Sequence, residues 1–252
     1  MLNIVIPIAG RGSRFLDAGY TVPKPLIPIH GMPMIEVVAR NVRPRRPHRL
    51  IFVAQEEHLA RAGMREALHR IDPAAPIVTT PKVTEGAACT VLLAKVLIET
   101  DEPLMIANSD QWVECDIDEY LDEMDQQQAD GLIMTMWADH PKWSYVGLEN
   151  GRVTRVVEKE VISSEATVGL YNFRKGRDFV RAAEQMIRKN IRANGEFYVA
   201  PVYNELLEDG AKIVVRNVGR VSAGMWGLGT PSDFEWFLAQ PASRRAVGLP
   251  CP

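Results

Sequence analysis

The sequence predicts a three-layer α/β domain with a mixed, mostly parallel sheet, and three observations favour this fold class. Short apolar runs alternate with amphipathic helical patterns through the first half of the chain, as in parallel strands joined by crossover helices. The second half changes to strand-like segments around Asn150-Gly151, a dipeptide typical of tight hairpin turns. The chain has 252 residues with 46% hydrophobic content, which suits one large domain with a substantial core.

The first half alternates strand and helix in a regular order. The opening run Ile4–Ala9 is short and apolar and ends at a glycine, which indicates a buried parallel strand. Apolar residues at helical spacing predict helices after Pro33 and over residues 60–71, 88–96 and 117–124. Apolar runs predict further strands at residues 50–53, 77–78 and 104–107.

The second half predicts a different sequence of elements. Its strand-like segments cover residues 132–137, 146–149, 152–156, 167–173 and 213–215. Its helical patterns cover residues 180–191, residues 199–207 before Gly210, and a short segment after Pro231. Residues 240–252 are rich in Pro, Ala and Arg and are expected to form a loosely ordered tail.

The composition argues against several classes of partner. The net charge is −3, so no overall positive field indicates nucleic acid or an anionic membrane. No apolar run approaches the roughly 18 residues of a membrane-spanning helix, and no positive segment precedes the first apolar stretch, so we expect no signal peptide. The three cysteines, Cys89, Cys115 and Cys251, lack zinc-binding spacing, which favours reduced thiols in a cytoplasmic protein.

A glycine-rich turn with several cations follows the first strand. Gly10 and Gly12 let the backbone turn tightly, so that its N–H groups can approach an anion. Pro23 and Pro25 restrict the backbone on both sides of Lys24, which gives its ammonium a defined starting position. This combination predicts a polyphosphate site formed by Ala9, Gly10, Arg11, Gly12, Ser13, Arg14 and Lys24.

Two common phosphate-binding motifs are incomplete in this segment. In the dinucleotide fingerprint G-x-G-x-x-G, the third glycine position is occupied by Phe15. The motif G-x-x-x-x-G-K-[ST] is also absent. The prediction of phosphate binding therefore depends on the conjunction of strand, glycine turn, arginines and lysine.

Asp110 closely follows the apolar run 104–107. Ligands of parallel sheets bind at the carboxyl ends of the strands, so Asp110 is expected near the glycine turn. Mg²⁺ usually takes one or two carboxylates together with phosphates and waters, and Asp110 is therefore a candidate magnesium ligand. A helix cap or an ordinary loop position is the alternative.

The segment Thr84-Glu-Gly86 precedes a predicted helix. Gly86 could let a flat nucleobase lie against the backbone, and Thr84 could cap the helix. Both interpretations remain open. We also assign Thr80 to nucleotide binding.

The N-terminal motifs resemble those of the nucleotidyltransferases that activate sugar phosphates. The resemblance lies in Gly10-Arg-Gly-Ser-Arg14, Pro23-Lys-Pro25 and Gly31-Met-Pro-Met-Ile-Glu36, and it extends roughly to Leu238. It implies a Rossmann-like, nucleotide-diphospho-sugar transferase-like domain over residues 1–239. Residues 1–130 would be the nucleotide-binding half, and residues 131–239 the acceptor-binding half.

The resemblance also implies roles for individual residues. Asp110 would hold Mg²⁺, Gly86 would lie beside the base with a slight preference for a pyrimidine, and Lys159 would neutralise the acceptor phosphate. The acceptor-binding residues implied by the family pattern are Tyr145, Gly147, Glu158, Lys159, Gly169 and Tyr171.

One departure from the family pattern concerns a second metal-binding aspartate. Relatives often carry it two residues before the glycine of a D-x-G-T segment, whereas this chain has Gly227-Leu-Gly-Thr230. Asp233 is a candidate substitute, although it could instead cap the following helix. The departure suggests a divergent, polysaccharide-type branch of the family.

The sequence therefore predicts transfer of a nucleoside monophosphate from an NTP to a phosphorylated acceptor, most simply a sugar 1-phosphate, with release of pyrophosphate. Arg14, Lys24 and Asp110 would be the catalytic residues, Mg²⁺ the cofactor, and a homo-oligomer is possible. The alternatives are a cytidylyltransferase acting on a phosphorylated non-sugar, a nucleotide-sugar-dependent glycosyltransferase and a non-catalytic nucleotide-sugar-binding protein. A glycosyltransferase would need Asp-x-Asp, and the segment Asn108-Ser-Asp110 supplies one aspartate.

Overall fold

The computed structural model describes residues 1–61 and 63–250, so Cys251 lies outside the described residues. The strands are β1 (Leu2–Ile8), β2 (Pro28–Ile29), β3 (Met32–Pro33), β4 (His48–Gln55), β5 (Ile77–Thr80), β6 (Leu104–Ala107), β7 (Gln111–Val113), β8 (Gly131–Trp137), β9 (Ser144–Glu149), β10 (Arg152–Glu158), β11 (Glu165–Phe173), β12 (Ile213–Val221) and β13 (Gly224–Gly227). The helices are α1 (Ser13–Asp17), α2 (Met34–Asn41), α3 (Glu56–Ala60), α4 (Met64–Ile71), α5 (Ala87–Leu92), α6 (Lys95–Ile98), α7 (Ile117–Gln126), α8 (Gly176–Arg188), α9 (Val202–Glu208), α10 (Pro231–Leu238) and α11 (Pro241–Ala246), with a 3₁₀ turn at Lys24–Leu26.

The main sheet is mixed and mostly parallel, which confirms the predicted fold class. Its strands run in the order β5-β4-β1-β6-β11-β8-β12-β13-β7, and the hairpin β9–β10 joins it at β11. Neighbours are parallel from β5 to β6 and from β8 to β13. Strand β11 runs antiparallel to both β6 and β8 and so connects the two parallel groups.

Helices cover both faces of the sheet, which gives the three layers. Alternate side chains of β1 point to opposite faces, as they do in any strand. Ile4 packs in a cluster that contains Leu68 of α4 and Tyr120 of α7. Val5 packs in a second cluster, with Val91 of α5 and Phe179 of α8.

A third apolar cluster ties the C-terminal segment to the start of the chain. Phe15 of α1 is buried. The centroid of its ring lies 6.0 Å from the centroid of the Phe234 ring of α10. Residues 240–252 were expected to be loosely ordered, whereas Pro241–Ala246 form α11. Ala242 belongs to the same buried cluster, and this packing orders the segment that composition alone marked as a tail.

Local backbone geometry explains why one predicted turn is present and why one predicted helix is split into two. Asn150 and Gly151 have φ of 50° and 76° and form the predicted turn between β9 and β10. The helix predicted over residues 60–71 is instead α3 and α4, and Gly63 before α4 has φ of 89°, which a helix cannot contain. In the described residues, no helix combines the length and apolarity needed to cross a membrane.

Candidate active site

A cavity of about 840 Å³ opens at the carboxyl ends of β1 and β6 and is lined by both halves of the chain. Ligands of open α/β sheets bind at this position. Most of the residues predicted from the sequence meet on its wall, namely Ala9, Gly10, Arg11, Gly12, Ser13, Arg14, Lys24, Gly86, Asp110, Glu158, Gly169 and Tyr171.

The turn after β1 is fixed by a glycine and an aromatic anchor. Gly12 has φ of 64°, and a Cβ atom placed on it would lie 3.2 Å from the Cβ of Lys24. A side chain at Gly12 would therefore strain the turn and crowd the lysine. Phe15, at the third glycine position of the dinucleotide fingerprint, packs edge-on against Tyr20 with ring centroids 5.1 Å apart. The aromatic residue that breaks the fingerprint thus anchors α1.

Three cationic side chains face the cavity, and they differ in whether they form an ion pair. Arg11 and Arg14 are exposed, and neither forms an ion pair with another residue of the described chain. Lys24 starts the 3₁₀ turn, and its Nζ lies 2.5 Å from Oδ2 of Asp110. The two guanidinium groups are therefore available to an anion, while the Lys24 ammonium is held in place by a carboxylate.

Asp110 lies between β6 and β7, directly opposite the glycine turn. Its carbonyl oxygen accepts a hydrogen bond from the Leu228 N–H at 2.8 Å. A Cβ atom on Gly229 would lie 2.9 Å from Asp110 Oδ2, so this glycine leaves room for the carboxylate. The loop and the C-terminal strand thus aim Asp110 at the phosphate loop.

The donor set fits a magnesium ion that is shared with a phosphorylated ligand. No group of three or more His, Cys, Asp or Glu side chains within residues 1–61 and 63–250 could hold a metal alone. Mg²⁺ takes one or two carboxylates and completes its shell with phosphate oxygens and waters. Asp110 supplies one such carboxylate, one-third exposed in the cavity.

Asp233 occupies part of the space left by Gly227. Its Oδ2 lies 3.8 Å from where a Cβ atom of Gly227 would stand. The same oxygen accepts a hydrogen bond from Thr230 Oγ1 at 2.9 Å, and Thr230 caps α10. The alternative that Asp233 caps this helix is therefore wrong, and Asp233 also lines the cavity.

Gly86 is required by the protein's own packing. It has φ of 136°, and a Cβ atom on it would lie 2.4 Å from the carbonyl oxygen of Phe197. The backbone of Phe197 therefore fills the space where a side chain of residue 86 would stand, and Gly86 also lines the cavity. Helix α5 begins at Ala87 with Gly86 at its N-cap, so Thr84 is not the cap.

Thr80 and Thr84 form short-range hydrogen bonds. Thr80 is buried, and its Oγ1 donates to the Lys82 carbonyl at 2.7 Å. Thr80 is not among the described residues that line the cavity. Thr84 Oγ1 lies 2.6 Å from Thr90 Oγ1, and both threonines are on the cavity wall.

On the acceptor side, Glu158 and Tyr171 are held in partly or fully buried positions. Burial raises the pKa of the Glu158 carboxyl above its ordinary value, and the Ser144 hydrogen bond and the Lys159 charge oppose this. Burial also raises the pKa of Tyr171, whose hydroxyl lies 3.0 Å from Thr167 Oγ1. The Tyr171 phenol therefore stays protonated at neutral pH.

Gly169 lets the acceptor side approach the strand end that carries Asp110. It has φ of 90°, and a Cβ atom there would lie 2.5 Å from Asn108 Nδ2. Its carbonyl accepts a hydrogen bond from the Asn108 N–H at 2.8 Å. A larger residue would separate β11 from the segment after β6.

Tyr145 and Gly147 lie away from the cavity wall, because side chains alternate along β9. Ser144 faces the cavity, so Tyr145 points to the opposite face, where it is fully buried and donates to the His140 carbonyl at 2.8 Å. Gly147 shares that face, and a Cβ atom on it would lie 3.0 Å from Arg155 Cγ. The structure thus separates these two from the other predicted acceptor residues.

Lys159 lies at the edge of the site. It has φ of 60° after the end of β10, and its Nζ donates to Tyr198 Oη at 2.7 Å. Tyr198 lines the cavity, whereas Lys159 is not among its described lining residues. Lys159 therefore lies beside the cavity, in contact with the lining residue Tyr198.

Sequence reasoning missed several polar and aromatic residues of the cavity wall: Asn108, Lys142, Trp143, Ser144, Glu196 and Tyr198. Those at 142–144 directly precede or begin β9. Glu196 and Tyr198 follow the turn at Asn194-Gly195, whose φ values are 48° and 81°. An Asn-Gly pair is typical of turns, so the sequence could have been used to predict that the following residues lie in a loop.

Comparison with known proteins gives consistent similarities. The catalytic subunit beta of mannose-1-phosphate guanylyltransferase from Danio rerio is 26% identical over 178 residues, which cover 68% of this chain and 49% of the relative. The chain spans about half the length of the curated relatives it matches.

Solved structures resemble the chain along most of its length. The nucleoside-diphosphate-sugar pyrophosphorylase from Vibrio cholerae RC9 is 27% identical with a TM-score of 0.77, covering 94% of this chain and 100% of that one. The inositol-1-phosphate CTP transferase from T. maritima is 14% identical with a TM-score of 0.70, covering 99% and 98%, and shows a shared fold. A sequence profile of the family described as Nucleotidyl transferase matches residues 4–210, and the chain therefore belongs to the nucleotidyl transferase family.

Proposed function

We propose that this protein transfers a nucleoside monophosphate from an NTP to a phosphorylated small-molecule acceptor and releases pyrophosphate. One observation carries the proposal. Arg11 and Arg14, which form no ion pair within the described residues, and the Lys24–Asp110 pair face the wall formed by the second half of the chain across one cavity. A triphosphate suits the cationic side. The opposite wall leaves room for a second substrate.

The transfer needs no protein nucleophile. An oxygen of the acceptor phosphate attacks the α-phosphorus of the NTP, a new P–O bond forms, and the bond between the α-phosphorus and its bridging oxygen breaks. The electron pair leaves with pyrophosphate. Catalysis then consists of positioning and charge stabilisation, which Arg14 and Lys24 supply to the phosphates.

Asp110 is the residue that would hold Mg²⁺, with the phosphate oxygens of the NTP completing the shell. When bound, the ion would supply charge neutralisation between two anionic substrates. Lys24 would then turn from Asp110 to the phosphates. Asp233, which is hydrogen bonded to Thr230, would remain in the first turn of α10 beside the site.

A sugar 1-phosphate is the simplest acceptor, because the names of the Danio rerio and Vibrio cholerae relatives refer to sugars. Lys159, Glu158 and Tyr171 would act on the acceptor side.

A cytoplasmic location is part of the proposal and is supported by the free thiols of Cys89 and Cys115. The association of this chain into a homo-oligomer stays a prediction from the sequence.

The proposal is tested by a matrix of the four NTPs and a panel of phosphorylated acceptors, with pyrophosphate release as the readout. We expect release to require one NTP, one acceptor and Mg²⁺ together. Release that is independent of every acceptor would indicate NTP hydrolysis and would contradict the proposal.

A further inference from the structure

Lys142 is the one lysine or arginine that the second half of the chain contributes to the described cavity wall. The other cationic side chains there, Arg11, Arg14 and Lys24, all belong to the first half. Two phosphates that approach each other repel, and cations on both sides offset this repulsion. Among the described lining residues, the second half therefore offers one side chain for this role.

The Lys142 ammonium is attracted by a carboxylate but is not hydrogen bonded to it. Its Nζ lies 3.8 Å from Asp233 Oδ2, which is beyond hydrogen-bond distance, and that oxygen already accepts a hydrogen bond from Thr230 Oγ1. Nζ also lies 4.8 Å from the centroid of the Trp143 ring, and it donates to no acceptor within residues 1–61 and 63–250. Its N–H donors are therefore available to an anion.

Lys142 lies along the part of the wall that leads to Asp110. Asp233 Oδ2 is 3.8 Å from where a Cβ atom of Gly227 would stand, and Asp110 Oδ2 is 2.9 Å from where that of Gly229 would stand. The two carboxylates thus border the same short glycine segment. A phosphate held by Lys142 would be a neighbour of the phosphates that Asp110 and its Mg²⁺ would hold.

The turn that carries Lys142 is held by hydrogen bonds on two sides. The Lys142 N–H donates to His140 Nδ1 at 3.1 Å, and the His140 carbonyl accepts from the hydroxyl of the buried Tyr145 at 2.8 Å. The Trp143 carbonyl accepts from the Lys159 N–H at 3.0 Å. Tyr145, which lies away from the cavity, therefore holds the turn that brings Lys142 into it.

Lys159, the lysine that the family resemblance assigns to the acceptor phosphate, has another partner. Its Nζ donates to Tyr198 Oη at 2.7 Å and lies 4.9 Å from the centroid of the Tyr198 ring. Lys159 is not among the described residues of the cavity wall, whereas Lys142 is. Lys142 is therefore better placed for direct contact with a phosphate in the cavity.

We propose that Lys142 binds the phosphate of the acceptor, and that Tyr145 is a positioning residue that acts on Lys142 through the His140 carbonyl. This inference rests on the proposed nucleotidyl transfer and names a residue that holds its second substrate. The ammonium would turn from Asp233 to the phosphate oxygens, which a lysine binds as a point charge. It would offset part of the charge of the attacking phosphate.

Lys142→Met keeps most of the length of the side chain and removes its charge. With the NTP and acceptor that the matrix selects, we expect kcat/KM for the acceptor to fall about tenfold to a hundredfold, since a hydrogen bond to a charged group is worth about one to two decades. The Kd of the NTP, measured by calorimetry, should be unchanged, and Lys142→Arg should retain more activity than Lys142→Met.

Lys175→Met is the matched control. Lys175 is exposed to a similar degree, its Nζ lies 3.5 Å from Asp101 Oδ1, and it is not on the described cavity wall. A kcat/KM for the acceptor that is equal in Lys142→Met and in this control would overturn the inference. Weaker NTP binding in Lys142→Met would overturn it as well, by placing the lysine on the nucleotide. Both outcomes leave nucleotidyl transfer standing.

Tyr145→Phe removes the hydroxyl that holds the His140 carbonyl. We expect it to raise KM for the acceptor about twofold to tenfold, with kcat and the Kd of the NTP close to wild type. In Lys142→Met the same change should have no further effect on this KM, because a positioning residue acts through the residue it positions. An equal effect with and without the lysine would contradict the positioning role.

Phosphate binding separates this inference from the proposed function. If no acceptor supports pyrophosphate release, the proposed transfer fails, and titration with inorganic phosphate still decides the inference. In the double variant Arg11→Ala/Arg14→Ala, phosphorus NMR should detect a remaining phosphate site that Lys142→Met abolishes. Absence of that site, or its persistence in Lys142→Met, overturns the inference.

Discussion

At the scale of single residues, the Lys24–Asp110 ion pair holds two functional groups in the cavity before any substrate binds. The Nζ–Oδ2 distance is 2.5 Å, and the two side chains are 17% and 33% exposed. The pair is therefore partly shielded from water, which restricts both side chains and keeps their charges close. Arg14, by contrast, is exposed and forms no ion pair with another residue of the described chain, so its guanidinium is available to an anion.

Removing either cation should slow transfer strongly. We expect Lys24→Met and Arg14→Ala each to lower kcat/KM about a hundredfold or more, because each would remove a charge that stabilises the leaving pyrophosphate. Arg65→Ala, which removes an exposed arginine of α4, is the control. Steady-state pyrophosphate release measures the effect, and wild-type rates in both variants would show that the loop is only structural.

The raised pKa of Glu158 links stability to pH. Because burial favours the protonated form in the folded state, the stability contributed by this group is full at low pH and is lost as the pH rises through its folded pKa. Glu158→Gln should therefore increase the free energy of unfolding, relative to wild type, more at pH 7 than at pH 4. Urea unfolding at both pH values measures this, and an equal change at the two values would refute the linkage.

At the scale of elements, the segment around Phe197 connects the part of the cavity wall formed by the first half of the chain to the part formed by the second half. The Phe197 N–H donates to the Glu85 carbonyl at 2.8 Å, and the Phe197 carbonyl accepts from the Ala88 N–H at 3.0 Å. The start of α5 is therefore held by residues that lie next to Glu196 and Tyr198. Gly86 makes this contact possible because it has no side chain.

Gly86→Ala should destabilise the fold rather than merely alter base binding. Its φ of 136° and the Phe197 oxygen 2.4 Å from the added Cβ predict a loss of about 2–4 kcal/mol from backbone strain and overpacking. Gly10→Ala is the stability control, since no described atom lies within 4 Å of its added Cβ. Thermal unfolding compares them, and equal melting temperatures would argue against the packing role.

These elements show why the sequence predicts part of the site and not the rest. The rule that ligands bind at strand ends was sufficient to bring Gly10 and Asp110 together. The sequence does not show which side chains of β9 point into the cavity, so the prediction placed Tyr145 on the cavity wall instead of its neighbour Ser144. The strand β13, only four residues long, is too short for a periodic signal, and its position beside Asp110 depends on tertiary pairing.

At the scale of the whole molecule, the antiparallel strand β11 joins two parallel groups of strands and makes one cavity from both halves of the chain. The first half contributes two exposed arginines and the Lys24–Asp110 pair, and the second half contributes Lys142, two glutamates and aromatic rings. Under the proposed function, this arrangement would let two anionic substrates lie side by side without a protein nucleophile between them. The proposed reaction therefore transfers the α-phosphorus of the NTP to the acceptor phosphate.

The fate of labelled phosphorus shows whether this transfer occurs. With the NTP and acceptor that support turnover, label in the α-phosphate should appear in the nucleotide-linked product, and label in the γ-phosphate should appear in pyrophosphate. Asp110→Asn, which keeps the shape of the side chain and removes the charge proposed to hold Mg²⁺, should lose both signals while its circular dichroism matches wild type. Release of the γ-label as inorganic phosphate, or its transfer to the acceptor, would contradict the account.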